Sequence, residues 1–257
     1  MYKSLKLADL LIRWTPENPT LFSAFFSESS EEPILEFSNI PMQSSYGISY
    51  SFAPAHHYLF NDFGGNISIN KDWSHVIAYS GISKDPEYAL ALAAICTRLS
   101  AFQTLLLHGS FVDFEGNGLV FVGPSGIGKT TQAKLWNQFL GANIVNGDKL
   151  LLRCFEEVIS AYGLPWRGSS PYCLNQKAPL KGIIALRQAP QNRIRKLTHF
   201  ECMEYFMPHV FLPHWDETCL CFALDTLNQL ISRVPIWLLE CRPDEEAVLL
   251  VKNTVFG

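Results

Sequence analysis

Apolar and polar positions along the chain change their period several times, and each change marks a predicted element. Before residue 80, short stretches such as PILEFSNI, GISYSFA and NISIN alternate between apolar and polar residues, with NDFGGN as a turn between the last two. Alternation with a period of two predicts half-buried strands. Residues 1–84 are therefore predicted to form a β-rich N-terminal region.

A helical pattern follows. Asp85, Pro86 and Glu87 supply an N-cap, a first-turn proline and an acid suited to the helix dipole. They open EYALALAAICTRLSAFQ, which is apolar nearly all round and predicts a largely buried helix. The pattern then changes to that of strands. A hairpin is predicted from LLLHGSFVDF, the turn EGNG and LVFV, and its second strand enters a glycine loop. KTTQAKLWNQF predicts a helix that ends at Gly141.

The remaining chain alternates between strands and helices. One strand, with its acid inside, is predicted at NIVNGDKLLLR, and further strands are predicted at LKGIIALRQA and PIWLLECR. Helices are predicted at HFECMEYFM and at the acidic segment from Pro243. Cys219-Leu-Cys221 favours two thiols on one face of a strand. This order indicates an α/β fold with α+β character, divided into a region 1–84 and a domain 85–257.

Composition and charge narrow the classes of partner. With 48% hydrophobic and 17% charged residues the chain is predicted to fold, and its net charge of −4 argues against a nucleic-acid partner. The basic run RIRK (Arg193–Lys196) is interpreted as a solvated face. Asp9 and Arg13 interrupt the apolar N-terminal patch, which excludes a signal peptide and a membrane span. With seven scattered cysteines, read as reduced thiols, we expect a cytoplasmic protein with no membrane partner.

The strongest chemical signal is GPSGIGKTT, which fulfils the phosphate-loop pattern GxxxxGK[ST] between a predicted strand and a predicted helix. In such a loop the backbone N–H groups turn toward one anion, and the start of the helix adds partial positive charge. Lys129 is expected to bridge the terminal phosphates, and the hydroxyl of Thr130 to hold Mg²⁺. The predicted nucleotide-binding residues are Gly123, Pro124, Ser125, Gly126, Ile127, Gly128, Lys129, Thr130 and Thr131.

Magnesium in such a site needs a carboxylate near the end of a neighbouring strand. Asp148 in IVNGDKLLL is the candidate, whereas Asp113 and Glu115 flank the hairpin turn and are interpreted as solvated. Phosphoryl chemistry also calls for a further cation. Arg167 in PWRGSS is the candidate for contact with the nucleotide or the acceptor, with a structural salt bridge as the alternative, and Arg187 is a second candidate.

Three segments in order carry a family resemblance: HGSFVDFEGNG, GPSGIGKTT and VNGDKLLL. The block 108–152 resembles the core of the HPr serine kinases and, through them, the phosphoenolpyruvate carboxykinase-like kinases. GLPWRGSS, APLKGIIALRQA and NRIRKL resemble stand-alone relatives of that core, so the likeness covers roughly residues 85–257. It implies a P-loop kinase core with a mixed β-sheet, ATP and Mg²⁺ as cofactors, His108 near the transferred phosphate and Asp148 as a metal ligand.

The chain departs from that family at two positions. HPr kinases carry two adjacent acids on the strand and an acid directly after the loop Ser/Thr, whereas this chain has Gly147-Asp148-Lys149 and Thr131. Two residues are therefore candidates for the general base, Asp148 and His108. The predicted catalytic set is His108, Lys129, Asp148 and Arg167.

Four functions remain in competition. The resemblance implies a kinase that phosphorylates a hydroxyl of a protein or peptide acceptor, such as a ribosomally made precursor peptide bound with the help of the N-terminal region. A small-molecule kinase acting on free serine uses the same chemistry. The missing second acid motivates a nucleotide-binding sensor or peptide-binding module without catalysis, and a P-loop ATPase is disfavoured because no hydrophobic run ends in Asp-Glu. The hexamers of the family and the hydrophobic N-terminal region lead us to expect a homo-oligomer.

Overall fold

The computed structural model describes residues 4–14, 22–41, 56–60, 66–80 and 84–257. These residues form two compact units, Met1–Ala101 and Phe102–Gly257. The predicted stretch GISYSFA and nearly all of the turn NDFGGN lie outside the described residues.

The first unit contains a mixed β-sheet, in agreement with the predicted β-rich region. Its described strands are β1 (Ser4–Leu7), β2 (Leu10–Arg13), β3 (Phe26–Ser27), β4 (Leu35–Pro41), β5 (His57–Phe60), β6 (Asn66–Ile69) and β7 (His75–Ser80). They are ordered β3-β1-β2-β4-β7-β6-β5, with parallel pairing at β2–β4 and β4–β7. Trp14 packs edge-on against Phe22, with ring centroids 5.1 Å apart, and also against Phe37.

Helix α1 (Lys84–Ser100) belongs to the first unit. Arg98 near its end donates from Nε to the carbonyl of Ile34 at 2.9 Å and from Nη1 to the carbonyl of Asp72 at 2.7 Å. These bonds join the helix to two loops of the sheet. The division between the units thus falls after Ala101, whereas the sequence placed a boundary after residue 84.

The second unit contains nine described strands and four described helices. The strands are β8 (Thr104–His108), β9 (Ser110–Phe114), β10 (Asn117–Val122), β11 (Asn143–Asn146), β12 (Lys149–Phe155), β13 (Val158–Gly163), β14 (Lys177–Gln188), β15 (Arg193–Lys196) and β16 (Ile236–Cys241). The helices are α2 (Lys129–Leu140), α3 (His199–Tyr205), α4 (Glu217–Arg233) and α5 (Glu245–Val255).

The long strand β14 lies at the centre of this unit. Its first residues pair antiparallel with β13, and its later residues pair in parallel with β10 and β16. The order along the sheet is β11-β9-β10-β14-β13-β12-β8, with β16 between β14 and β15. The mixed sheet and its helices confirm the predicted α/β class.

Alternate residues of β10 face two separate cores. Val120 and Val122 are buried with residues of α3 and α4, whereas Leu119 and Phe121 are buried with residues of α2 and α5. Both faces of the strand are therefore covered, as expected for a central parallel strand. This packing fixes the end of β10 and the start of α2, which enclose the glycine loop.

Two predicted strands are each divided in the structure. LLLHGSFVDF breaks at Gly109, where a Cβ atom would lie 2.8 Å from the carbonyl oxygen of Phe121, so β8 leaves the hairpin and pairs with β12 instead. NIVNGDKLLLR breaks at Gly147 and Asp148, because the side chain of Asn146 accepts the N–H groups of Asp148 and Lys149. The acid predicted inside a strand thus lies in the bend between β11 and β12.

The prediction of a strand around Cys219-Leu-Cys221 is wrong, because both thiols lie in α4. The side chain of Asp216 accepts the N–H of Cys219 at 2.8 Å and caps this helix. One face of this helix is buried at helical spacing, along Cys219, Ala223, Leu227 and Leu230.

No helix in the described part of the chain is both long and apolar enough to cross a membrane.

Candidate active site

The predicted glycine loop connects β10 to α2 as expected. Gly126 and Gly128 have φ angles of 79° and 114°, a region that side-chain-bearing residues rarely adopt. Gly128 directly precedes the first residue of α2. The loop therefore leads into the end of a helix whose first N–H groups lack intrahelical acceptors, which is the arrangement that binds phosphate.

Lys129 and Thr130 are the first two residues of α2, and their side chains donate hydrogen bonds to backbone carbonyls outside the helix. Lys129 is 7% exposed, and its Nζ donates to the carbonyls of Gly123 at 2.9 Å and Pro124 at 3.1 Å. Thr130 Oγ1 donates to the carbonyl of Gly147 at 3.2 Å. The hydroxyl predicted to hold a metal ion thus lies beside the bend that carries Asp148.

A network of side chains holds that bend. Asn146 is fully buried; its Oδ1 accepts the N–H of Asp148 at 2.9 Å, and its Nδ2 donates to the carbonyl of Leu164 at 2.8 Å. Ser110 Oγ donates to the carbonyl of Gly147 at 3.2 Å. Asn146 is a positioning residue that sequence reasoning missed, although an Asn-Gly pair followed by Asp is a known turn signal.

The loop 167–171 closes over the same bend. A Cβ atom on Gly147 would lie 2.1 Å from Ser170 Oγ, and one on Gly168 would lie 2.8 Å from Asp148 Oδ2. Both glycines therefore allow close contact between the loop and the bend, and Gly168 brings the loop against the carboxylate itself. Ser170 lies in this contact, and its Oγ accepts the N–H of Tyr172 at 3.2 Å.

Asp148 has two titratable partners. Lys149 Nζ forms an ion pair with Oδ2, and His108 Nδ1 lies 3.4 Å from Oδ1. His108 ends β8 directly opposite Lys149 in the β8–β12 register. The structure thus brings the predicted His108 and Asp148 together, and it adds a lysine to the pair.

A second histidine, His209, lies on the other side of His108. Leu107 pairs antiparallel with Val210, and the N–H of Phe211 donates to the carbonyl of Leu106 at 2.9 Å. These contacts bring His209, the last residue of a 3-10 turn, close enough to His108 for the charge of His108 to act on it. No local motif marks His209 in the sequence.

One cavity of about 410 Å³ unites most of the predicted residues. We call it the phosphate cavity. It is lined by His108, Ser125, Gly126, Gly128, Lys129, Thr130, Thr131, Lys134, Gly147, Asp148, Ser169, Ser170 and Pro171. Three chemical groups therefore border one space: the glycine loop, a carboxylate and an imidazole.

The cations around this cavity differ from the predicted set. Lys134 lines it and lies four residues after Thr130 on the same face of α2, which is the signal that could have indicated it. Arg167 lies beside the lining residues Ser169 and Pro171, and its Nη1 donates to the carbonyl of Pro171 at 3.1 Å. Its predicted contact with nucleotide or acceptor stays a prediction.

Burial sets the protonation of the groups in the cavity. Burial, followed by the charge of Lys129, lowers the pKa of His108 below its usual value, although Asp148 opposes this. Burial and the charges of Lys129 and His108 also lower the pKa of His209. Both imidazoles therefore bind a proton less readily than an ordinary histidine. Burial lowers the pKa of Lys129 as well, and Asp148 again opposes the shift.

The residues fit a magnesium ion that binds together with phosphate. Thr130 Oγ1 and the carboxylate of Asp148 are hard oxygen ligands, and Mg²⁺ commonly takes one or two such protein ligands besides phosphate and water. Among the residues that the structure describes, no three His, Cys, Asp or Glu side chains cluster as a metal site of their own. An ion held by this cavity would therefore depend on the nucleotide for its remaining ligands.

Comparison with known proteins gives a structural likeness but no match in sequence. No protein-family model and no curated protein matches the sequence. Among solved structures, the chain is similar to the Hpr(Ser) kinase/phosphatase from Coxiella burnetii, with 12% sequence identity and a TM-score of 0.35. The match covers 58% of this chain and 95% of that one.

Proposed function

We propose that the protein is an ATP- and Mg²⁺-dependent kinase that transfers the terminal phosphate to a hydroxyl, of serine type, on a protein or peptide. The observation that carries the proposal is the phosphate cavity, in which a phosphate loop, Asp148 and His108 border one space. A phosphate loop alone is compatible with a switch, a motor or a sensor. A carboxylate and an imidazole facing the same space are two groups that can accept the proton of an attacking hydroxyl.

In the proposed reaction each group has a separate task. Lys129, Lys134 and the backbone N–H groups at the start of α2 neutralise the charge that develops on the transferred phosphoryl group. The acceptor oxygen forms a bond to the terminal phosphorus as the bond from that phosphorus to the bridging oxygen breaks. The proton of the hydroxyl passes to His108 or to Asp148.

The two candidates for the base differ in their surroundings. Asp148 follows Gly147, whose carbonyl accepts from Thr130, so its carboxylate is suited to holding a metal ion together with that hydroxyl once the ion displaces Lys149. His108 turns Nδ1 toward Asp148, which leaves Nε2 as the nitrogen to accept the proton. His108→Ala should then lower turnover about 100-fold or more. Near-normal turnover of this variant would assign the proton to Asp148.

The acceptor is proposed to be a peptide or protein, with free serine as the small-molecule alternative. The test is incubation of the full chain with Mg-ATP and each acceptor class, followed by mass spectrometry for phosphate addition. Lys129→Ala and Asp148→Asn should both abolish the gain in mass. The exposed residues Lys181 and Asp225 provide matched controls, because Lys181→Ala and Asp225→Asn make the same changes away from the cavity.

A nucleotide-binding module without transfer is the second candidate, and one observation favours it. Lys149 occupies the position next to Asp148 and neutralises its carboxylate. If this ion pair prevents catalysis, the protein should bind Mg-ATP tightly and transfer phosphate to none of the acceptors. Lys149→Ala would then release the carboxylate and increase Mg²⁺-dependent nucleotide affinity. Self-association is proposed in either case, and light scattering with and without nucleotide tests it.

A further inference from the structure

A second cleft lies at the carboxyl ends of three parallel strands, β10, β14 and β16. We call it the strand-end cleft. Its volume is about 580 Å³, and its walls include Ile127, Gln132, Leu186, Gln188, Cys241 and Pro243. Ligands of open α/β sheets bind beyond the carboxyl ends of the strands, and small-molecule pockets have volumes of roughly 300–1,000 Å³. The cleft therefore has the place and the size of a ligand site.

This cleft adjoins the phosphate cavity. Gly126, Gly128 and Thr131 line both spaces, so the two lie on either side of the glycine loop and the first turn of α2. A molecule with its phosphates on the loop can extend its other end into the strand-end cleft. The apolar side chains of Ile127 and Leu186 offer walls for a flat ring.

The charged residues at the rim are already paired. Arg187 forms an ion pair with Glu240, and Arg242 forms ion pairs with Asp244 and Glu246. Because these carboxylates neutralise the two arginines, the cleft suits an uncharged ring better than a second anion.

Gln132 supplies a polar group that lacks a partner. Its side chain is buried, with 2% exposed, and its Nε2 donates to Cys241 Sγ at 3.4 Å, while Oε1 has no hydrogen-bond partner. Burial raises the pKa of the Cys241 thiol to about 11, so the thiol stays neutral. An unpaired buried acceptor is unfavourable. The terminal torsion of a glutamine is soft, so Oε1 can rotate to meet a donor on a ligand in the cleft that this residue lines.

We propose that the strand-end cleft binds the nucleobase and ribose of the phosphate donor, and that Gln132 Oε1 accepts a hydrogen bond from the exocyclic amino group of a 6-aminopurine. The proposal rests on the proposed function, because it takes the phosphate cavity as the site of the donor's phosphates. It also gives a reason for the protein to bind ATP in preference to donors whose purine carries a carbonyl in place of that amino group.

Calorimetric titration of the full chain with three magnesium salts tests this assignment. The ligands are ATP, its 6-oxo analogue ITP, and inorganic tripolyphosphate. ATP should bind about tenfold or more tightly than ITP, and tripolyphosphate more weakly than either. Gln132→Met should reduce the affinity for ATP to that for ITP. The matched control is Gln138→Met, which makes the same change at an exposed position of α2 and should alter none of the three affinities.

A second variant fills the cleft without touching Gln132. Ala189 is half-buried in its wall, and Ala189→Trp should lower the affinity for ATP to that for tripolyphosphate while tripolyphosphate binds as before. Equal binding of ATP and tripolyphosphate by the unmodified protein would overturn the nucleobase site and leave the phosphate cavity intact. ITP binding as tightly as ATP would overturn the role of Gln132. Failure of all three ligands to bind would instead refute the proposed function.

Discussion

The contact between Gly168 and Asp148 leads to a prediction that can be worked out from distances. Gly168 has a φ angle of 54°, and a Cβ atom there would lie 2.8 Å from Oδ2 and 3.0 Å from Cγ of Asp148. Ordinary contact begins near 3.4 Å, so Gly168→Ala has to displace the carboxylate oxygen by about 0.6 Å. The backbone conformation adds a cost of roughly 1–2 kcal/mol for any residue with a Cβ atom.

These two effects can be separated with one control. Gly116 in the turn between β9 and β10 has a φ angle of 76°, and a Cβ atom there would meet nothing within 4 Å beyond its chain neighbours, so Gly116→Ala carries the backbone cost without the collision. Both variants should lower the melting temperature by about 2–8 °C, because 1 kcal/mol corresponds to about 2–4 °C in a chain of this size. Only Gly168→Ala should also move Asp148.

The distinguishing measurement is nucleotide affinity with and without Mg²⁺. Displacing a metal ligand through its supporting residues costs about 10- to 100-fold in metal affinity. Gly168→Ala should therefore lose about that much of the Mg²⁺-dependent affinity for ATP, while Gly116→Ala keeps all of it. If the two variants retain equal Mg²⁺ dependence, Asp148 is not the metal ligand or the loop does not fix its position.

Three further predictions concern stability. Trp136 is fully buried with its ring 5.5 Å from Phe114, so Trp136→Ala should lower the free energy of unfolding by about 3–5 kcal/mol in urea titration; a loss below about 1 kcal/mol would contradict this packing. Asp244 caps α5 by accepting the N–H of Ala247, so Asp244→Ala should cost about 1 kcal/mol in thermal melting, whereas an unchanged midpoint would refute the cap. Burial lowers the pKa of His209 in the folded protein, so the unfolded chain takes up a proton first as the pH falls below about 6.5, and the free energy of unfolding should decrease there. His209→Gln should flatten that decrease between about pH 7 and 5. An unaltered slope would contradict this assignment.

Much of the candidate site could be predicted because its signals are local. A glycine loop between a strand and a helix needs only neighbouring residues to be recognised, and its residues Lys129 and Thr130 both line the phosphate cavity. The candidate His108 came from the family resemblance and Asp148 from the need for a carboxylate on the strand after the loop helix, and the two lie 3.4 Å apart between Nδ1 and Oδ1. The α/β class followed from periodicity in the same way.

What could not be predicted depends on residues distant in the sequence. His209 reaches His108 only through the pairing of Leu107 with Val210, a contact across about one hundred residues that leaves no local pattern. The alternation at Cys219 suggested a strand because a window of three residues cannot distinguish the two periods, and the cap at Asp216 decides for a helix. The division at Gly109 follows from the close approach of Phe121, which belongs to a different strand.

The position of β14 has a consequence for the order in which the protein assembles. The hairpin β9–β10 closes through Glu115 and Gly116, whereas Phe121 pairs with Ile184 and Ile184 with Trp237 across more than fifty residues each. Closing long loops carries an entropic cost that local pairs avoid, so the hairpin should gain amide protection in pulse-labelled hydrogen exchange before β14 and β16 do. A single phase for all strands would contradict this order. During refolding the chain would then possess its glycine loop before the walls of the strand-end cleft exist, and recognition of a base would be the last property it acquires.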